Sequence, residues 1–544
     1  MKSFSFVKLR AFPIRAQSTS YRSSGLLSLF QYLSSWQLSS YSILLEDSLL
    51  LVRMAGSIYL YYLVCLLYIF ETFQSSWAIE VKSPIVKEGK GRPPPLPPSK
   101  LKHYEPDWNS LDARILPSWF DKDKVGIFIH WGVYAVPSIS SEWFWIDWKG
   151  NPSPNVKAQQ EIMQFMKRNY KPGFTYQDFA VEFSAEFFNA TEWADLIEKS
   201  GAKYVVLTSK HHDGFSLWPS KFSYSWNSVD VGPHKDIVDE VSKAVRSKKG
   251  LRFGLYHSLY EWFHPLYLAD KATNFTTQKF VDDKIFPEMK ELINKYKPEI
   301  LWSDGEWEAP SKYWKSEEFL AWLYNDSPVK DSIVVNDRWG EETLCKHGGY
   351  LTCSDRYNPG KLPPRKWENA MTLDKNSWGY NRKSNIDDYL STQQLVDLLA
   401  RTIALGGNIL INVGPSKDGK INPIFQERLL DLGKWLKVNG EAIYESSPWD
   451  VCQNDSSQPD IWYTTKNTGK DLYVIMLRWP KSNNIYLSCP QISDKSKISM
   501  LGLPGIKLQG VMTVKHLLKI ALPDKALVEN EWGWTIKIKN VVSP

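Results

Sequence analysis

The chain has 544 residues, 43% of them hydrophobic, which suits a large domain joined to a small one better than a single small unit. Its formal charge of +6 arises from 66 Lys and Arg set against 60 Asp and Glu; without long basic blocks, this argues against a nucleic-acid partner. The 25 Trp and 27 Tyr tilt the composition toward carbohydrate, because flat aromatic faces stack on sugar C–H faces, with the filling of a large core as the plain alternative.

The N-terminal residues 1–53 are Ser-rich with scattered basic groups. They read as upstream sequence translated from an early start codon, with a transit peptide or an uncleaved signal anchor as alternatives. Residues 54–78 have the layout of a signal peptide: Arg53-Met54, an apolar run Ile58–Phe70, and a small-residue cleavage site ending at Ala78. The run is thirteen residues long, too short to span a bilayer comfortably, so no stable membrane association is expected after cleavage. Residues 79–106 form an N-terminal arm whose stretch GRPPPLPPSK (Gly91–Lys100) is a stiff polyproline segment.

From 107 to 444, short apolar runs alternate with amphipathic helical patterns. The runs are Val125–Ile129, Tyr204–Leu207, Phe253–Tyr256, Ile300–Trp302, Ser332–Val335 and Asn408–Val413, the pattern of buried parallel strands. Asn189-Ala-Thr-Glu192 and Ser391-Thr-Gln-Gln394 each read as a capping box opening a helix. This alternation predicts a (β/α)8-like TIM barrel, with a helix or two degenerate. A doubly wound open sheet is the competing architecture, but no Gly-rich phosphate loop follows any strand. From 445 to 544, strand-like runs at Ile461–Thr464, Leu472–Leu477, Ile485–Leu487, Gly510–Val514 and Trp534–Ile538 alternate with turn residues, predicting a small all-β sandwich.

Of five Cys, Cys65 lies in the apolar run. Cys345 and Cys353 are close enough in sequence to bridge a loop, and Cys452 and Cys489 can bridge the C-terminal domain; none has zinc-like spacing. Asn189, Asn274, Asn325 and Asn454 open N-glycosylation triplets, the third followed by Pro328.

In a barrel, chemistry gathers where strands end. Here the candidate strands run into His130-Trp131-Gly132, Lys210-His211-His212-Asp213-Gly214, Tyr256-His257-Ser258, Ser303-Asp304-Gly305-Glu306-Trp307 and Asn336-Asp337-Arg338-Trp339. Histidines, carboxylates, an Arg and Trp converging on one face suit a pocket for a neutral polyol. Taken singly, each group has a plain reading as a cap or ion pair. His211, His212 and Asp213 have the ligand types for a metal, but neighbours on a strand face opposite ways, and no metal is expected.

The segments GIFIHWGVYAVP, SEWFW, VVLTSKHHDGFSLWPS, LWSDGEW, NDRWG and GGNILINVGPSKDG resemble the α-L-fucosidases of glycoside hydrolase family 29, most closely the animal lysosomal and secreted tissue enzymes. The resemblance is collinear from about Leu101 to the C-terminus and leaves out the first hundred residues. It implies removal of terminal α-linked L-fucose from glycoproteins, glycolipids or oligosaccharides with retention, through a covalent fucosyl-enzyme. Asp304 matches the family nucleophile, a carboxylate expected to be held ionised by nearby donors. Asp355 aligns best by spacing with the acid/base and follows the strand-like run Tyr350–Thr352; Glu368 is the runner-up and Glu306 a third candidate. The resemblance carries sugar-binding roles onto His130, Glu142, Trp143, His211, His212, Tyr256, Trp302, Arg338 and Trp378, with Arg338 beside the nucleophile and Trp302 and Trp378 against the sugar methyl. It calls for no cofactor, takes a fucosylated glycan as partner, and implies a homo-oligomer such as a tetramer, in the lysosome or secreted. A glycan-binding protein without turnover and a hydrolase of another sugar are the alternatives.

Overall fold

The computed structural model describes residues 103–542. The readings made for residues 1–53, for 54–78 and for nearly all of 79–106 lie outside them.

Seven strands form one parallel sheet: β1 (Val125–Ile129), β2 (Tyr204–Lys210), β3 (Arg252–Ser258), β4 (Ile300–Asp304), β5 (Val334–Val335), β6 (Trp367–Thr372) and β7 (Gly407–Val413). Their order is β5-β4-β3-β2-β1-β7-β6, the sequential order of a barrel rather than the crossed order of an open doubly wound sheet. The gap between β5 and β6 is filled by residues 350–352. Tyr350 N donates to Val335 O (3.2 Å), Leu351 N to Lys366 O (2.9 Å) and Glu368 N to Leu351 O (2.8 Å), with Leu351 bridging Trp367 in parallel. This eighth stave closes the barrel. Long helices follow the other strands, for example Ile237–Arg246 after β2 and Pro423–Asn439 after β7, whereas turns connect β5 to the eighth stave and that stave to β6.

The helices form where their sequences say they should. Asn189 caps Ala190–Lys199, and the capping box Ser391/Gln394 opens Thr392–Ala404. Helix Ile237–Arg246 buries Ile237, Val238, Val241 and Val245, one apolar stripe facing the sheet. Inside the barrel, Phe128, Tyr204, Tyr256, Ile300, Trp302, Val334, Tyr350 and Leu410 pack as a separate core layer. Gly126 on β1 makes room for one of these rings: a Cβ there would stand 2.1 Å from Tyr204.

The C-terminal region is all-β. One antiparallel sheet includes Gln458–Lys466, Asp471–Met476, Trp534–Lys539 and Lys497–Met500; a second pairs Asn484–Leu487, Leu518–Ala521 and Gly510–Met512. Their facing side chains, Tyr463, Val474, Ile485, Leu518 and Ile536 among them, share one core. It docks on the last two barrel helices, where Trp435 Nε1 donates to Gly533 O (3.0 Å) and Gln393 Nε2 to Trp532 O (2.7 Å). Cys345 pairs with Cys353, and Cys452 with Cys489. Among the described residues no helix is long and apolar enough to cross a membrane.

The sequence pattern differs from the structure mainly at β6. WENAMT carries Glu and Asn in the middle of a fully buried strand, and both find partners: Glu368 accepts from Tyr204 Oη, and Asn369 Nδ2 donates to Thr402 Oγ1 (3.2 Å). Such pairing makes buried polar groups tolerable. The run expected at Ser332–Val335 shortens to two residues, and Lys497–Met500 and Leu518–Ala521 are further strands.

Candidate active site

The C-terminal ends of the barrel strands enclose a cavity of about 360 Å³. His130 follows β1, His211 and His212 follow β2, Tyr256 lies in β3 and Asp304 ends β4. Arg338 comes three residues after β5, Asp355 three after the eighth stave, and Trp378 in the loop beyond β6. All of them line the cavity, as do Glu142, Trp143, Trp302 and Glu306. Glu368 does not: it is fully buried inside the barrel, beneath the cavity floor, where it accepts from Trp302 Nε1 (3.1 Å) and Tyr204 Oη (2.8 Å). Burial pushes its carboxyl up to about 7.

Arg338 organises the centre. Its Nη1 donates to Asp304 Oδ1 (2.9 Å), its Nη2 to Asp355 Oδ1 (2.7 Å) and its Nε to Thr352 Oγ1 (3.1 Å), while the guanidinium lies 4.7 Å from the Trp302 ring centroid. One planar cation thus ties together two carboxyls from different staves. The neighbouring Asp337, fully buried, accepts from Thr352 N (2.9 Å), Cys345 N (2.9 Å) and Cys353 N (3.2 Å). With the Cys345–Cys353 disulfide, these bonds fold the segment that carries Asp355.

Asp304 lies deep, its side chain 12% exposed against 46% for Asp355. Its second oxygen accepts from Tyr256 Oη (2.8 Å) and sits 3.6 Å from His212 Nε2. The sequence reading has donors holding this carboxyl low. Burial outweighs them: it pushes the carboxyl above its ordinary value, against the pull of the Arg338 guanidinium and with a further push from the Asp355 charge. Gly305, at φ +89°, lets the chain turn directly after Asp304; a Cβ there would meet the Tyr260 ring at 2.5 Å.

The histidines are neutral, because burial holds His130 at about 4, His212 at about 3 and His211 well below its ordinary value. Hydrogen bonds fix two tautomers. Ser258 Oγ donates its proton to Tyr260 O (2.7 Å), so it accepts from His212 Nδ1 (2.6 Å). Asn412 Nδ2 donates to Thr372 Oγ1 and Trp378 O, so its Oδ1 accepts from His130 Nδ1 (2.7 Å). Both rings therefore keep an unprotonated Nε2, an acceptor for a hydroxyl proton. His211 Nδ1 is buried without a partner. Asp213 turns away from the pair and accepts from Tyr176 Oη (2.7 Å).

Glu142 Oε2 accepts from the backbone N–H of Trp378 (2.9 Å) and Gly379 (3.0 Å), fixing the Trp378 loop; burial raises its carboxyl to about 7. Burial raises Glu306 likewise to about 7, and its Oε2 has no partner. Phe128 packs with Trp302 (centroids 5.3 Å apart) and Trp378 (6.0 Å) as an apolar wall. The sequence reading gave no sugar-binding role to Phe128, Trp307 or Leu344, all of which join the lining. Phe128 lies in β1 two residues before His130, which follows the strand directly, so the period-2 rule carried one residue on places both on one face. Trp307 closes the WSDGEW motif, whereas Leu344 lies in a loop without pattern.

Comparison with known proteins agrees with this geometry. A family model described as Alpha-L-fucosidase matches residues 97–441, and one described as Alpha-L-fucosidase C-terminal domain matches 453–539. An α-L-fucosidase of Branchiostoma floridae is 54% identical over 441 residues, 81% of this chain and 96% of that one. The plasma α-L-fucosidase of Homo sapiens is 51% identical over 449 residues, 82% and 94% of the two chains. The crystal structure of a Thermotoga maritima α-fucosidase in complex with a mechanism based inhibitor superposes with a TM-score of 0.69 at 35% identity, covering 80% of this chain and all of that one. A barrel whose strand ends gather carboxyls, neutral histidines and an aromatic wall, matched by relatives along four-fifths of its length, belongs to the α-L-fucosidase family of glycoside hydrolases.

Proposed function

We propose that this enzyme is a retaining exo-α-L-fucosidase, with Asp304 as nucleophile and Asp355 as acid/base. The observation that carries the assignment is the shared guanidinium: Arg338 holds a deep carboxyl and a rim carboxyl through its two terminal nitrogens. Two carboxyls brought to one sugar site are what a retaining glycosidase uses, one as nucleophile and one as acid/base.

The sugar enters a cavity closed below by Trp302, Tyr204 and Glu368, so a chain end rather than a chain middle is accepted. Asp304 attacks the anomeric carbon as the glycosidic C–O bond breaks, and Asp355 gives its proton to the departing oxygen. Asp355, then a carboxylate, takes a proton from water; the water oxygen bonds to the anomeric carbon and Asp304 leaves. His130, His212 and His211 accept or share sugar hydroxyl protons. The wall of Phe128, Trp302 and Trp378 receives the C5 methyl, and galactose, with a hydroxyl there, would leave that hydroxyl unpaired. The substrates are terminal α-linked fucosides of glycoproteins, glycolipids or oligosaccharides, met in the lysosome or outside the cell after removal of residues 54–78.

Proton NMR during hydrolysis of an aryl α-L-fucoside tests the reading. The α-anomer of fucose should appear first and mutarotate afterwards; β-fucose as the first product would overturn the retaining mechanism.

A further inference from the structure

Three of the four glycosylation triplets have asparagines whose side chains are already engaged, each in a different way. Asn454 Nδ2 donates to both Pro459 O (3.0 Å) and Ile461 O (2.8 Å). That uses two amide hydrogens, and a glycosylated amide keeps one. Asn325 Nδ2 donates to Tyr104 O (2.8 Å) while its Oδ1 accepts from Tyr104 N (2.9 Å), clamping the N-terminal arm, and Ser327 of its triplet is buried. Asn189 is exposed. Its Oδ1 caps the following helix by accepting from Thr191 N (3.0 Å) and Glu192 N (3.2 Å). Its nitrogen makes one bond, to Glu192 Oε1 (3.0 Å). Attachment at that nitrogen leaves the capping oxygen and one N–H untouched.

Two residues before Asn189 stands Phe187, 53% exposed for a large apolar ring. Lys420 Nζ lies 3.7 Å from its centroid, which covers one face and leaves the other. Beside it runs a groove of about 460 Å³, lined among others by Phe187, Glu192, Tyr380, Lys420 and Gln426. Aromatic faces and polar termini in one trough are the pairing that saccharides bind, C–H faces on rings and hydroxyls on polar groups.

We propose that Asn189 carries an N-linked glycan whose first residue, an N-acetylhexosamine, packs on Phe187, and that Asn325 and Asn454 remain bare in the folded protein. Transfer of the glycan precedes folding, so a chain modified at Asn454 cannot close both of its contacts, a sugar on Asn325 would stand at the clamp on Tyr104, and the folded secreted population is depleted of both. The proposal rests on the secretory routing put forward above. Expressing the chain in animal cells with residues 1–78 replaced by a heterologous signal sequence, beside the native chain, separates the two. Failure of the native leader alone defeats the routing and leaves the site assignment tested.

Site occupancy is read by mass spectrometry after enzymatic deglycosylation in H2-18O. The bulk of secreted molecules should carry the label at Asn189, and essentially none at Asn325 or Asn454. A bare Asn189, or label at either of the other two, overturns the assignment. Thr191→Ala removes the triplet while keeping the capping asparagine, and should lower Tm by about 1–3 °C relative to its effect in a Phe187→Ala background. Equal effects of Thr191→Ala in both backgrounds would overturn the packing on Phe187.

Discussion

Asp304 and Asp355 bond the same guanidinium, yet the protein holds them by different means. Asp304 ends a fully buried five-residue strand and is fixed by Tyr256 on one neighbouring stave and by Arg338 just beyond the other. Asp355 sits beyond a stave reduced to a bridge, on a segment shaped by Asp337 and the Cys345–Cys353 disulfide, with its side chain nearly half exposed. The contrast follows the chemistry. In the roles proposed for them, a nucleophile has one partner, the anomeric carbon, and gains from rigid placement. An acid/base must serve a departing group that varies and then an incoming water, and needs access from solvent.

The sharpest way to break this contrast is to remove each carboxyl. Asp304→Ala should lower kcat on every fucoside by on the order of 10⁴-fold or more, and loss on some substrates alone would deny it the role of nucleophile. Asp355→Ala should depend on the leaving group. We expect loss of roughly 10²–10⁴-fold on a disaccharide, much less on an aryl fucoside with an acidic phenol, and partial rescue by azide as a fucosyl azide of retained configuration. A loss independent of leaving group would return the acid/base role to another carboxyl. Of the other two candidates, Glu306 lines the cavity and Glu368 does not.

Opening the disulfide tests whether the rim is held separately from the floor. Cys345→Ser with Cys353→Ser leaves Asp304, Tyr256 and Arg338 in place but loosens the segment before Asp355. Hydrolysis of poor leaving groups should fall roughly tenfold, with little change for activated aryl fucosides. Equal losses on both classes would show that the segment supports the whole pocket.

What was legible in the sequence follows the same division. β1, β2 and β4 carry apolar runs that lead into polar clusters, so strand and site residue could be read together, as at Ile300–Asp304. β6 was not legible, because Glu368 and Asn369 interrupt it and their partners, Tyr204, Trp302 and Thr402, come from distant parts of the chain. The same blindness made Glu368 a candidate acid/base: a sequence shows a carboxyl beside Trp367 but not that the barrel closes over it. Leu344 carries no periodic signal, and its place in the lining depends on how Asp337 folds the loop around it.

The smallest expected effect concerns stability. Burial raises the carboxyls of Glu142, Glu306 and Glu368 to about 7. The folded protein then keeps protons that the unfolded chain releases above about 4.5, so their contribution is complete below that pH and is lost as pH rises through about 7. The histidines oppose this at acid pH. His130, His212 and His257 are held at about 4, 3 and 4, so the unfolded chain gains protons below about 6.5 that the folded one refuses. Between about pH 4.5 and 6.5 the two sets counteract each other; above about 6.5 the histidines are neutral in both states and the carboxyls dominate. Lys366, lowered by burial to about 7, offsets part of the fall above that pH. Tm should therefore vary little from about pH 5 to 6.5 and drop by about 2–4 °C toward pH 7.5, and Glu368→Gln, which cannot ionise, should make the drop shallower. A Tm that rises across that interval would mean that the buried carboxyls are ionised in the fold, with partners stronger than the tyrosine and tryptophan donors around Glu368.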